Sequence, residues 1–296
     1  MLSGSIVALV TPMRENGDID WAALDGLIEW HIESGTHAIV PMGTTGESAT
    51  LDTDEHLQVI KRTIELVAKR IPVIAGTGSN STAEAIHQTQ EAQALGADAC
   101  LLVTPYYNRP TQEGLFQHYK AISEATTVPI VLYNVPPRTG CDMQAETVAR
   151  LANFSNIVGI KDACGDATRV KAIKDALTGS AWDEFFILSG EDAQTLEMMS
   201  LGAVGTISVT ANVLPALMAE FCSSYLAGDH ARAQELDNRL QPVHDVLFVE
   251  SSPTPTKWIL SELGRMQGGI RLPLIPLSNQ HHENVRNAVV TAGAAK

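Results

Sequence analysis

Apolar residues fall along the chain in short unbroken runs, each fenced by glycine, proline or polar residues. The runs are Ile6–Val10, Ala38–Met42, Val73–Ala75, Ala99–Val103, Ile130–Tyr133, Ile157–Ile160, Phe185–Leu188 and Ala203–Ile207. They are rich in Val, Ile, Leu and Ala without polar alternation. Strands buried on both faces read this way, and parallel sheets bury both faces. Between the runs the period changes. Trp21, Leu24, Leu27, Ile28 and Ile32 within Asp20–Glu33, and Leu57, Ile60, Ile64 and Val67 within Asp52–Lys69, each mark one face of a helix. The second segment opens Asp-Thr-Asp-Glu, an N-cap with acidic residues in the first turn. Ser81–Leu95 and Glu113–Glu124 follow the same logic, and Gly96 stands where a helix-terminating glycine belongs. Ser34-Gly35, Leu95-Gly96 and Leu201-Gly202 each precede a strand.

Eight β-then-α units predict an α/β protein with a (β/α)8 barrel over residues 1–224. An open doubly wound sheet is the competing architecture. Its dinucleotide-binding form is disfavoured, because Gly76-Thr77-Gly78 runs into Ser-Asn-Ser-Thr without a third glycine. Beyond residue 225 the strand signals stop. Asp229–Val249, Thr256–Leu263 and Asn279–Thr291 predict helices separated by proline-rich breaks, a C-terminal helical domain over residues 225–296.

Composition narrows the function. The chain of 296 residues carries a formal charge of −14, which repels phosphate backbones and argues against nucleic-acid binding. Cys100, Cys141, Cys164 and Cys222 form no CxxC pair and read as reduced thiols. The N-terminus has no basic segment, and no stretch approaches the ~20 apolar residues of a membrane helix. A cytoplasmic protein without a membrane partner is expected.

Barrel active sites gather at the C-terminal ends of the strands. The sixth run continues Gly159-Ile160-Lys161-Asp162. An ammonium there is costly unless paired or put to use, and the neutral amine that burial favours is the nucleophile that attacks carbonyls. Lys161 is therefore either an imine-forming nucleophile or a lysine paired with Asp162 or another carboxylate. The fifth run ends Tyr133-Asn-Val-Pro-Pro-Arg138-Thr-Gly. Tyr133 can shuttle a proton or serve as a core aromatic. Arg138, on a proline-stiffened loop, can hold a carboxylate in two-pronged fashion or simply sit at the surface. The second run leads into Gly43-Thr44-Thr45-Gly46-Glu47, whose exposed amides and hydroxyls suit a small carboxylate; Glu47 stands where a phosphate loop needs lysine. The fourth leads into Thr104-Pro105-Tyr106-Tyr107, either packing or proton-relay tyrosines. The nine histidines are scattered without a His-x-His pair, so a metal site is hard to build. There is no Gly-x-Ser-x-Gly nucleophile turn.

Gly43-Thr44-Thr45-Gly46-Glu47, Tyr133-Asn134-Val135-Pro136 and Gly159-Ile160-Lys161-Asp162, in that order at three predicted strand ends, resemble the dihydrodipicolinate synthase and N-acetylneuraminate lyase family. The resemblance runs through essentially the whole chain. It implies that Lys161 holds pyruvate as an imine, with Gly43, Thr45 and Ile207 at the bound substrate. Thr44, Tyr133 and Tyr107 would relay protons, Tyr107 from a neighbouring subunit. No external cofactor is implied, because the imine is itself the electron sink. Arg138 and the Thr104–Tyr107 segment look like the synthase branch, which joins pyruvate to L-aspartate 4-semialdehyde on the route to diaminopimelate and lysine. The other branches cleave N-acetylneuraminate or 2-keto-3-deoxy acids. A homotetramer built as a dimer of dimers is implied, with lysine inhibiting at the dimer interface. The matching positions are Ser48, Ala49, His56, Asn80, Glu84 and Tyr106, with Thr53 where the familiar inhibited enzymes carry histidine. The reading from another class is a sensor that binds a keto acid without turning it over.

Overall fold

A computed structural model describes residues 2–179 and 184–294. Its strands are β1 (Gly4–Ala8), β2 (Ala38–Val40), β3 (Ile74–Gly76), β4 (Ala99–Val103), β5 (Ile130–Asn134), β6 (Ile157–Asp162), β7 (Phe186–Ser189) and β8 (Gly205–Ser208). They form one sheet in the order β2-β1-β8-β7-β6-β5-β4-β3. With helices between the strands, this is the expected (β/α)8 barrel. No described helix is long and apolar enough to cross a membrane.

β4 matches its apolar run to the residue, and the strands that depart from theirs do so for local reasons. β2 stops at Val40 because Met42 takes a left-handed backbone, φ 59°. Past β1, the Val10 amide donates to Asn212 Oδ1 at 3.0 Å and Asn212 Nδ2 donates to Ala8 O at 2.8 Å. A side chain thus takes over the role of a ladder partner. β6 runs on through Lys161 and Asp162, which pair with β5 on one side and β7 on the other.

The helix ends follow the sequence. Asp52 and Glu55 form a reciprocal capping box on Thr53–Val67, and Ser81 caps Thr82–Leu95, which ends at Gly96 with φ 93°. The C-terminal helices are Pro215–Leu226, His230–Val246, Thr254–Glu262 and Asn279–Ala292. The expected boundary between residues 224 and 225 falls inside the first of these.

Contacts gather the chain into two compact units, Met1–Ser3 with Pro72–Ile207 and Gly4–Ile71 with Ser208–Lys296. In the first, β3 to β7 pair in parallel over a core that includes the fully buried Leu102, Leu132, Ile160 and Leu188. Each such side chain contributes roughly 1.5–3 kcal/mol by leaving water. In the second, β1 and β2 pair in parallel and Pro215–Leu226 packs on β1 and on His230–Val246.

Candidate active site

Within the first unit, register brings Tyr133 of β5 and Lys161 of β6 opposite one another, and Asn134 opposite Asp162. Neighbours in register on parallel strands share a face of the sheet. Lys161 and Tyr133 accordingly meet, with Lys161 Nζ 4.2 Å from the centre of the Tyr133 ring. Lys161 is only 5% exposed. Among the described residues its amine forms no hydrogen bond or ion pair.

Asp162 is not its counter-ion. Consecutive strand residues point to opposite faces, so Asp162 turns away. It is engaged there instead, accepting from Asn134 Nδ2 at 3.2 Å and the Cys164 amide at 3.1 Å, with Arg169 at 3.6 Å. Asn134 Nδ2 also reaches Asp142 at 2.8 Å. This polar layer fixes the ends of β5 and β6 and keeps Asp162 away from the Lys161 amine.

Arg138 sits on a short helical turn, Pro136–Thr139, where a loop was expected; Pro136 at the first position pre-sets its backbone angle. Its guanidinium is exposed and makes no hydrogen bond or ion pair among the described residues. Tyr107 has a left-handed backbone, φ 73°, and is 91% exposed. Its segment is tied down by backbone-directed bonds, the Tyr107 amide to Thr139 O at 3.2 Å, Asn80 Nδ2 to Tyr106 O at 3.1 Å and Asn108 Nδ2 to Asn80 O at 2.9 Å. Ile207 is buried in β8. Glu84 is exposed and accepts from Ser79 Oγ at 2.7 Å.

Sequence reading passed over Glu191, which follows β7 in Ser189-Gly190-Glu191-Asp192. The strand-end rule applied to the seventh run would have found it. Burial and the neighbouring Asp192 push its carboxyl above the ordinary range, while Lys161 and Arg138 pull it back.

In the second unit, Gly43 to Glu47 fold into a tight turn. The Gly46 amide donates to Gly43 O at 3.0 Å, the Glu47 amide to Thr44 O at 3.1 Å, and Thr11 Oγ1 to Gly46 O at 2.7 Å. A Cβ at Gly46 would lie 3.0 Å from the Met42 nitrogen and 3.2 Å from Leu9 O, so a side chain there would force the backbone of the turn to shift. The hydroxyls of Thr44, half-buried, and Thr45, buried, have no partner among the described residues. Ser48 is half-buried, Ala49 and Thr53 are exposed, and His56 is buried.

Sequence reading also missed the anchor of this turn. Glu47 Oε1 forms a buried ion pair with Lys257, and Glu47 Oε2 accepts from the Arg271 amide at 3.2 Å. The Arg271 guanidinium in turn grips Glu55 with two bonds of 2.6 Å and Thr50 O at 2.9 Å. Burial pushes Lys257 below the ordinary lysine pKa, and Glu47 opposes the shift. A lysine within the buried run Thr254–Lys257, just ahead of Ile259 and Leu260, was the available signal.

A parallel (β/α)8 barrel that buries an unpaired lysine at a strand end, against a tyrosine ring, defines the class of imine-forming lyases. The dihydrodipicolinate synthetase family model matches residues 1–292, and the chain belongs to that family. The 4-hydroxy-tetrahydrodipicolinate synthase of Pseudomonas putida (strain W619) is 55% identical over 99% of both chains. The chloride-inhibited dihydrodipicolinate synthase of Acinetobacter baumannii, solved with pyruvate, is 55% identical and superposes with a TM-score of 0.96 over 100% of both. The enzyme from Cyanidioschyzon merolae, solved with lysine bound, is 37% identical with a TM-score of 0.94, over 99% of this chain and 98% of that one.

Proposed function

We propose that this chain joins pyruvate to L-aspartate 4-semialdehyde, the reaction of a 4-hydroxy-tetrahydrodipicolinate synthase that feeds diaminopimelate and lysine synthesis. The observation that carries the reading is Lys161, buried at the end of β6, not paired with Asp162 and beside the Tyr133 ring. Its Nζ attacks the keto carbon of pyruvate, water leaves, and an imine forms. Loss of a methyl proton gives an enamine that adds to the aldehyde. The amine of the adduct then displaces Lys161 and closes the ring.

Tyr133 and Thr44 move protons in these steps, joined by Tyr107. The 91% exposure of Tyr107 leaves it available to a neighbouring subunit, as a homotetramer built from dimers would require. The free hydroxyls and amides of the Gly43–Thr45 turn receive the pyruvate carboxylate, with Ile207 walling the site. Arg138, unpaired, binds the carboxylate of the aldehyde. Lysine acts as feedback inhibitor through Ser48, Ala49, His56, Asn80, Glu84 and Tyr106. Thr53 in place of histidine sets how strongly it does so. Cysteines held as thiols rather than disulfides suit the cytoplasm.

Mixing the protein with pyruvate and borohydride, then mapping the modified peptide by mass spectrometry, tests the central step. A reduced adduct on Lys161 is expected; no adduct, or one elsewhere, refutes it. Turnover with aspartate semialdehyde but not with sugar aldehydes separates this reading from the keto-deoxy-acid and sialic-acid branches. Initial rates at low pyruvate should fall across a lysine titration.

A further inference from the structure

Gly190 follows the last residue of β7 and donates its amide to Asp162 O at 2.7 Å. A Cβ on it would lie 3.0 Å from Cε of Lys161 and 2.6 Å from Cβ of Ala163. The Ala163 contact calls for glycine here, the backbone passes beside the stem of Lys161, and the residue it delivers next is Glu191. The Glu191 backbone is held from three directions. Its amide donates to Ser189 Oγ at 3.1 Å, and its carbonyl accepts from Ser189 Oγ at 2.8 Å and from Thr195 Oγ1 at 3.2 Å. Its side chain is half-buried, yet among the described residues the carboxylate makes no hydrogen bond or ion pair. A fixed backbone with an unused, partly desolvated carboxylate next to a reacting centre is a ligand-facing arrangement. Asp162, next to Lys161 in sequence, is by contrast engaged by Asn134, the Cys164 amide and Arg169.

We infer that Glu191 is a specificity-determining residue that binds the primary ammonium group of the acceptor aldehyde, so that the site selects an amino aldehyde. The inference rests on the activity proposed above. Arg138 and Glu191 then hold the two charged groups of one amino acid. After the C–C bond forms, the ammonium passes one proton to the Glu191 carboxylate. The freed nitrogen lone pair adds to the imine carbon. The bond from that carbon to Lys161 Nζ breaks with its electron pair going to Nζ, which takes a proton from the added nitrogen. Lysine is released as the amine and the ring is closed. The raised carboxyl pKa at Glu191 suits it to accept that proton.

The test compares wild type, E191Q and E191D with aspartate semialdehyde as substrate and with succinate semialdehyde, the same chain without the amino group, as competitor. Borohydride trapping of pyruvate reports that each variant is folded and forms the imine. Loss of one charge-assisted contact predicts a fall in kcat/KM for the amino aldehyde of about ten- to a hundredfold in E191Q. The inhibition constant of succinate semialdehyde stays unchanged and E191D recovers part of the loss. E191Q with wild-type kcat/KM, or with equal weakening toward both aldehydes, overturns the inference. A wild-type protein that traps pyruvate but does not turn over the amino aldehyde overturns the proposed activity, and this inference with it.

Discussion

The Lys257–Glu47 pair offers a quantitative test of how the Gly43–Glu47 turn is held. Lys257 is 2% exposed and Glu47 3%. Taking two charges out of water costs several kcal/mol each, and their attraction offsets this only while both are present. K257M keeps most of the apolar stem and removes the ammonium, leaving Glu47 with the Arg271 amide alone. An uncompensated buried carboxylate costs about 3–5 kcal/mol. For a chain of this size that lowers the melting temperature by on the order of 10 °C. The double variant E47L/K257M removes both charges and should regain most of the loss, since an apolar pair of similar volume is often neutral relative to a buried ion pair. Urea unfolding of wild type, both single variants and the double variant gives the coupling energy directly. Additive losses, or a K257M variant within about 1 kcal/mol of wild type, would refute the argument.

Three further outcomes are expected. Arg138→Ala should raise KM for the aldehyde about ten- to a hundredfold while leaving pyruvate trapping intact, read by steady-state kinetics. Gly159→Ala places a Cβ 2.4 Å from the Phe186 ring and 2.7 Å from its carbonyl oxygen, and should cost roughly 1–3 kcal/mol in urea unfolding. His31 is fully buried, its Nδ1 paired with Thr36 Oγ1 at 3.0 Å and its Nε2 without a hydrogen-bond partner among the described residues, and burial pushes its pKa down to about 3. Below about pH 6.5 the unfolded chain binds a proton there that the folded chain refuses, so stability falls with pH through the window from about 6.5 to 3. The loss reaches about 2 kcal/mol by pH 5, and H31Q should flatten that part of the denaturation profile.

The strands and their order were legible because burial on both faces writes itself as uninterrupted apolar runs, and Lys161 stood out because it interrupts that rule at a strand end. Tyr133 was legible as the hydroxyl-bearing residue that closes the fifth run at a strand end. The pairing of Lys161 with Asp162 was open in the sequence and settled by geometry, since alternate strand residues point apart. Lys257 was not legible as the partner of Glu47, because no local pattern links positions 210 residues apart. Glu47 read only as a residue unfit for a phosphate loop. The short helix carrying Arg138 was hidden for another reason, as two prolines signal stiffness without saying whether the chain turns or extends.

The unit made of Gly4–Ile71 and Ser208–Lys296 joins the first part of the chain to the last. Its fastenings span nearly the whole length, from Asn212 on Ala8 to Arg271 on Gly17 O, 254 positions apart. A chain leaves the ribosome from its N-terminus, and contacts this distant form late and slowly. The opening strands can pair with each other early, but β1 and the turn with Thr44 and Thr45 must wait for their C-terminal partners through most of synthesis. The helices after residue 214 are the event that ends that wait, so a chain cut short before Lys257 would leave its beginning, and not merely its end, unfinished.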